Sequence, residues 1–316
     1  MTKLDLTPAD WPTFYFVGVT TAKSSIMKVF PAWARHLGMG DCAIRGIDCA
    51  LHDDPAVYRK VVQFLKEDEQ SRGALVTTHK LDLLKAARDL FDWLDPYALQ
   101  LGEVSSISKR NGQLRGHAKD PISSGLSFEA VVPGDHWSKS GAEVCLLGAG
   151  GSSLALTIYL MNLPAERRPA GILVTNRSAA RLQEMKAIHS RMECPIRVEY
   201  FLCPTAADND KVLTRLPPGS MVINATGLGK DAPGSPLTGN AEFPMNGIAW
   251  DFNYRGELVF MDQAKAQKAI KNLKIEDGWV YFVHGWLSVI AEVFDIRLPS
   301  SGPEFDRLCR IAADAR

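Results

Sequence analysis

The sequence predicts an α/β chain of two domains, in which short apolar strands alternate with amphipathic helices around largely parallel sheets. Two observations carry this. Within residues 144–160 an apolar run, Val144 to Leu147, breaks into Gly148, Gly150 and Gly151 and resumes as an apolar helical pattern through Leu160, which reads as strand, tight turn and helix. Ahead of it, residues 13–94 repeat the alternation of strand and helix. A length of 316 residues suits two modest domains, and 46% hydrophobic residues are enough for ordinary cores.

Taken in order, residues 13–19 form an apolar strand that runs into the polar turn Thr20-Thr-Ala-Lys-Ser-Ser25. Helical spacing follows over 27–37, with Pro31 expected near the first turn. Residues 42–49 read as a strand and 54–67 as an amphipathic helix opened by Asp53-Asp54-Pro55. Strand 73–77 delivers Thr77-Thr-His-Lys80, and 81–94 reads as a helix. In a parallel sheet, ligands sit beyond the carboxyl ends of the strands, so the turns 20–25 and 77–80 are expected on one rim. After Asp95-Pro96 the pattern changes. Residues 103–108 and 113–116 flank Lys109-Arg-Asn-Gly112, an Asn-Gly hairpin signal. Asp120 followed by Pro121 has the form of a helix N-cap and N1 proline.

Charge and cysteine content narrow the function. Lys plus Arg and Asp plus Glu number 36 each, which argues against a nucleic-acid surface. The six cysteines have no CxxC spacing, and no signal peptide or apolar run of membrane-spanning length is present, so a reducing cytoplasm is the expected setting. His79, His117 and His284 share no metal-ligand spacing, and no metal is expected. The apolar stretch 279–294 is too short to span a membrane and reads as core.

The glycine turn also has a chemical reading. Glycines let backbone NH groups approach a pyrophosphate, and the helix that follows offers it a positive N-terminus. Gly148, Ala149, Gly150, Gly151 and Ser152 are therefore candidate cofactor contacts, although Gly-x-Gly-Gly places the third small position on Ser153. A second apolar strand, residues 171–175, ends in Asn176-Arg177-Ser178, with Arg181 a turn later. No acidic residue stands there to accept from a ribose 2′-OH, and a guanidinium suits a 2′-phosphate, so NADP is favoured over NAD. The alternatives are a purely structural glycine turn and a solvated start to the next helix.

In this order the features resemble the shikimate/quinate dehydrogenase family along nearly the whole chain. The family's Gly-x-Pro-x-x-His-Ser-x-Ser-Pro turn is matched by Gly18-Val-Thr-Thr-Ala-Lys-Ser24-Ser25-Ile-Met, its Val-Thr-x-Pro-x-Lys turn by Val76-Thr77-Thr-His-Lys80, and its Gly-x-Asn-Thr-Asp by Gly116-His-Ala-Lys-Asp120. Gly148-Ala-Gly-Gly151, Asn176-Arg177-Ser178, Asn224-Ala-Thr226-Gly-Leu-Gly229 and Asp251-Phe-Asn-Tyr254 match its later landmarks. The resemblance implies catalysis by Lys80 and Asp120, substrate contacts at Ser24, Ser25, Thr77, Ser105 and Tyr254, and further cofactor contacts at Asn224, Thr226 and Gly278.

Departures from the family bear on the substrate. Lys23 and Ile26 replace a histidine and a serine, the Val-Thr to Lys spacing is shorter by one, Ala118-Lys119 replaces Asn-Thr, and Gly285 stands where a glutamine is expected. Added bulk and charge at Lys23, Lys119, Trp279 and Trp286 are expected to change the pocket. What the resemblance implies is reversible hydride transfer between NADP and a secondary alcohol of a cyclic hydroxy acid, shikimate-like but not necessarily shikimate. A place in aromatic amino acid biosynthesis follows from the same resemblance.

In that chemistry a lysine takes or returns the hydroxyl proton. A free lysine has a pKa of about 10.4 and is a poor base at neutral pH unless desolvated. A carboxylate partner pulls the other way, so Asp120 would serve orientation and proton relay. The expected organisation is a substrate domain over 1–122, completed by C-terminal helices over 279–316, and an NADP-binding Rossmann domain over 123–278. The expected state is a monomer or homodimer acting on a small hydroxy acid, without nucleic acid or membrane. Rival readings are an NADPH-binding sensor without turnover, a methylenetetrahydrofolate dehydrogenase, and a glutamyl-tRNA reductase. The last needs a nucleophilic cysteine that Cys42 and Cys49, in a predicted strand, do not supply.

Overall fold

The computed structural model describes residues 4–315. The chain divides into two compact units: one runs up to Lys119 and takes in the chain again from Val283, and the other is Asp120–Phe282. Among the described residues each unit carries one six-stranded sheet.

In the first unit β1 (Thr13–Gly18) is buried at every position, as a strand covered on both faces must be, and its residues are correspondingly apolar. Helix α1 (Ile26–His36) leads to β2 (Ala43–Asp48), and α2 (Pro55–Glu67) to β3 (Ser71–Val76); both strands pair in parallel with β1. Asp54 caps α2, its Oδ1 accepting from Ala56 N at 2.8 Å, with Pro55 at N1. Pro31 is not near the first turn of α1: it is the sixth residue. The helix bond to the Met27 carbonyl is lost there, and burial of Val29, Phe30 and Trp33 holds the helix in place.

The helix expected over 81–94 is shorter. α3 (Lys80–Ala87) passes into a 3₁₀ turn at Arg88–Leu90, and β4 (Trp93–Leu94) is a strand. Tertiary packing overrides propensity here, because Leu94 and Phe91 press on Gly116, where a Cβ would meet Leu94 Cδ2 at 2.6 Å. An unpredicted helix, α4 (Pro96–Leu101), is capped by Asp95, whose Oδ1 accepts from Ala98 N at 2.6 Å, and it ends at Gly102 with φ of 65°. Strands β5 (Ser106–Arg110) and β6 (Gln113–His117) form the expected hairpin. Arg110 pairs with Gln113 across Asn111 and Gly112, whose φ values of 51° and 74° are those of a type I′ turn. The sheet order is β2-β1-β3-β5-β6-β4.

The second unit contains α5 (Asp120–Val131), α6 (His136–Ser140), β7 (Val144–Leu147), α7 (Gly151–Asn162), β8 (Gly171–Asn176), α8 (Ala179–His189), β9 (Arg197–Leu202), α9 (Ala206–Leu213), β10 (Met221–Asn224), β11 (Ile248–Asp251), α10 (Val259–Lys271) and β12 (Lys274–Glu276). The order β12-β11-β10-β7-β8-β9 is parallel throughout. This is the doubly wound Rossmann sheet, whose order reverses between β7 and β10. Along β7, Val144 and Leu146 enter one core with Ile172, Val174 and Trp250, while Cys145 and Leu147 enter the opposite core with Leu173 and Val222. A strand buried on both faces sends alternate residues to each, hence the unbroken apolar run.

From Val283, α11 (Trp279–Phe294) and α12 (Gly302–Ala315) belong with the first sheet. Trp286 lies edge-on to Phe16 and Phe14, at 5.0 and 6.2 Å between ring centroids, so it fills core and does not reshape a pocket as expected. Trp33 Nε1 donates to Leu308 O at 2.9 Å, tying α12 to α1. Among the described residues no helix is long and apolar enough to cross a membrane.

Candidate functional site

Where β7 gives way to α7 the backbone turns at Gly148, with φ of 110°. A Cβ there would lie 3.0 Å from Ala225 O, so glycine is required by both conformation and the close approach of β10's loop. Ser153, the third small position, is buried and donates from Oγ to Gly148 O at 2.5 Å, locking the turn from behind. At Gly150 and Gly151 a Cβ would meet nothing within 4 Å. The N-terminus of α7 therefore faces open space. That space is part of a cavity of about 620 Å³ bounded by Gly148–Gly150, Thr175–Ser178, Arg181, Cys203–Ala206 and Ala225–Leu228. It stands at the topological switch point, where an open α/β sheet binds its ligand.

The far wall is the turn after β8. Asn176 Nδ2 donates to Ser178 O at 3.3 Å, and Ser178 caps α8 through Arg181 N at 3.4 Å. Arg177 is exposed and makes no ion pair among the described residues. Arg181 is shared with Glu184 at 2.6 Å. The turn itself holds no carboxylate. The cavity thus offers backbone NH groups and a helix N-terminus to one anionic group and a guanidinium to a second. Ser152 is half-buried on the first turn of α7.

Two expected cofactor contacts have other work. Asn224 is fully buried, its Nδ2 donating to Asp251 Oδ1 at 3.1 Å and its Oδ1 accepting from Thr226 N at 3.1 Å and Thr226 Oγ1 at 2.6 Å. Asn224 shapes the Thr226–Leu228 wall instead of facing the cavity, helped by Asn253 Nδ2 donating to Thr226 O at 3.0 Å. Burial pushes the Asp251 carboxyl up to about 6. Gly278 is absent from the cavity wall; a Cβ on it would lie 2.1 Å from Phe252 O, so it is a packing glycine. Tyr254 lies 5.4 Å from Trp279 and 4.9 Å from Phe282, in a half-exposed aromatic cluster of this unit. Asp120 is the first residue of α5 and is half-buried.

In the first unit the turns 20–25 and 77–80 do meet at the carboxyl end of β1. A Cβ on Gly18 would be 3.1 Å from Thr77 Oγ1 and 3.2 Å from Thr21 Cγ2. Thr21 donates from N and Oγ1 to Asp48 Oδ1 at 2.8 and 2.6 Å, a tie that no motif announced. Ser24 and Ser25 are half-buried, and the Ser25 hydroxyl does not cap α1. Thr77 bonds Val17 O through both N and Oγ1, at 3.0 and 3.3 Å. Lys80 opens α3, half-buried, and its carbonyl accepts from Val104 N at 3.2 Å.

Ser105 does not face outward: it is buried, accepting from Lys119 N at 2.8 Å and lying 3.4 Å from His117 O. Lys119 also departs from expectation. Its ammonium is ion-paired with Glu292 on α11, which holds Arg110 at 3.0 Å and lies 3.4 Å from His117 Nε2. Burial keeps His117 neutral, lowering it to about 4. Lys119 and Glu292, 173 positions apart in the chain, meet in this network, which is why no local pattern revealed it.

No family model matches the chain. Among curated proteins, the shikimate dehydrogenase (NADP(+)) of Saccharophagus degradans is 31% identical over 124 residues, covering 39% of this chain and 41% of that protein. The one from Symbiobacterium thermophilum is 27% identical over 175 residues, covering 54% and 55%. The chain spans about half the length of these relatives. Among solved structures, shikimate dehydrogenase from Aquifex aeolicus superposes with a TM-score of 0.73 at 18% identity, over 96% of this chain and 99% of that one. The chain is similar to shikimate dehydrogenases over part of its sequence and shares their fold.

Quinate dehydrogenase from Corynebacterium glutamicum, solved in complex with NAD, superposes with a TM-score of 0.72 at 19% identity, covering 97% and 100%. At these identities what is common is the fold.

Proposed function

We propose that this chain is an NADP-dependent dehydrogenase that interconverts a secondary alcohol of a cyclic hydroxy acid and the matching ketone. The observation that carries the reading is the cavity at the β7–β10 switch point, with an open glycine cradle at one end and Arg177, unopposed by any carboxylate on its turn, at the other. The NH groups of Ala149–Gly151 and the α7 N-terminus would hold the pyrophosphate, and Arg177 with Ser178 the 2′-phosphate. When bound, NADP supplies the two-electron hydride acceptor that no side chain provides.

Lys80 is the group assigned to take the hydroxyl proton on oxidation and return it on reduction, and Asp120 the group that orients it and passes the proton on. Half-burial of Lys80 supports a role that a fully solvated ammonium serves poorly. Thr77, Ser24, Ser25 and Tyr254 remain the proposed substrate contacts. Ser105 leaves that set because its hydroxyl is spent on backbone. The loss of Ser105 and Lys119 as substrate-facing groups supports a ring less rich in polar substituents than shikimate. A cytoplasmic monomer or homodimer remains the expected state.

The test is NADP reduction, followed at the nicotinamide absorbance, over shikimate, quinate, aminoshikimate and simpler hydroxy acids, with Lys80→Ala and Asp120→Asn alongside. Turnover abolished by both substitutions is the expected result. Tight NADPH binding with no turnover on any substrate would favour a sensor, and no dinucleotide binding at all would overturn the reading.

A further inference from the structure

A lysine that moves protons needs its root held, and the residue before it in this chain is unusual. His79 is wholly buried, a poor place for an imidazole without a purpose. Its Nδ1 lies 3.1 Å from the Tyr58 hydroxyl, brought in by α2. Its carbonyl accepts from Leu83 N at 2.8 Å, closing the first turn of α3. The ring and the backbone of His79 are thus fixed by different elements, and Lys80 follows directly.

Counting protons assigns the ring its tautomer. Tyr58 accepts from Asp53 N at 2.9 Å, and its oxygen lies 3.1 Å from Ala50 O. The phenol has one proton to give. With hydrogen on Nδ1, the imidazole donates to Tyr58, Tyr58 donates to Ala50 O, and all three bonds are made. With hydrogen on Nε2, Tyr58 must turn to Nδ1 and Ala50 O loses its donor. Nε2 is without a partner at hydrogen-bond distance in either form, so the two differ by the Tyr58–Ala50 bond; a hydrogen bond contributes about 0.5–1.5 kcal/mol, and the first arrangement wins. Burial also lowers the imidazole pKa, which keeps the ring neutral.

We infer that His79, held as its Nδ1–H tautomer by Tyr58, is a positioning residue for Lys80, an inference that rests on Lys80 being the acid/base group. His79→Leu and Tyr58→Phe remove the anchor, and His79→Asn returns an amide donor close to where Nδ1 sits. For the first two, kcat is expected to fall about tenfold with KM within about twofold, since a loosened catalytic group loses rate more than binding. His79→Asn is expected to recover most of the rate.

Lys80→Ala, run alongside, separates the two readings. An active Lys80→Ala overturns the lysine assignment; an inactive one with unimpaired His79→Leu and Tyr58→Phe overturns this inference alone. Equal losses in His79→Asn and His79→Leu would likewise refute it, because a mere packing role is not restored by an amide. The ring nitrogen signals of His79 in the full-length chain, read by NMR without any substrate, should show a protonated Nδ1 that is lost in Tyr58→Phe. A protonated Nε2 would sink the proposal whatever the kinetics.

Discussion

Arg177→Ala is the sharpest perturbation of the dinucleotide cavity. The side chain is exposed and makes no ion pair among the described residues, so its removal leaves the fold untouched. A charge-assisted hydrogen bond contributes about 1.5–3 kcal/mol, and solvent exposure places this one at the lower end. A loss of ~1.5–2 kcal/mol weakens NADPH binding about 10–30-fold. NADH has no 2′-phosphate, so its dissociation constant should stay within about twofold. Arg181→Ala should cost less, because Glu184 already holds that guanidinium at 2.6 Å. Fluorescence titration of both cofactors against wild type and both variants, at low and high salt, measures all of this, and the Arg177 effect should shrink as salt rises. Equal losses for NADPH and NADH, or none for either, would refute the assignment of Arg177.

Two further outcomes are expected from the same unit. Gly148→Ala forces a side chain into a φ of 110° and to 3.0 Å from Ala225 O, so it should cost about 1–3 kcal/mol of stability, read as a lower denaturant midpoint, and weaken NADPH binding. His189, bonded to Thr157 at 2.8 Å and Tyr200 at 2.7 Å, is lowered by burial from 6.5 to about 4. Its folded pKa lies below its unfolded one, so its contribution is complete above pH 6.5 and is lost as pH falls towards 4, a range worth ~3 kcal/mol. Thermal unfolding of wild type and His189→Gln should therefore differ most near pH 7 and converge near pH 4.5; a constant gap would contradict the assignment.

Local patterns in the chain announced the elements that local physics decides. Val144–Leu147 followed by three glycines reads as a Rossmann turn because both sheet faces and the bend are written in consecutive residues. Asn111-Gly112 reads as a hairpin because only a two-residue turn with positive φ uses that pair so well. Trp93–Leu94 was hidden inside a helical pattern, since its strand exists only where β6 and Gly116 are present to receive it. Ser105, Lys119 and Asn224 are each bonded within the protein in ways that no local pattern shows. A polar side chain in a plausible position carries no mark of whether its hydrogen bonds are already spent, and here they go to His117 and Lys119 backbone, to Glu292, and to Asp251 and Thr226. Tyr58 and His79 were invisible as a pair because the bond between them spans two helices.

The placement of the cysteines gives the chain a built-in chemical probe of its own opening. Cys42 and Cys49 are buried at the two ends of β2, and burial pushes both thiols up to about 11; Cys145 and Cys203 are buried in the other unit, each with its thiol raised in the same way. A thiolate reagent reaches such groups only during a local unfolding event, so its rate at each pair is a measure of how often that sheet comes apart. Cys194 and Cys309, less deeply placed, react first and set the baseline. Modification followed over time therefore reads the stability of the two sheets separately, from one sample and without an added label site, and shows which of them a bound dinucleotide steadies.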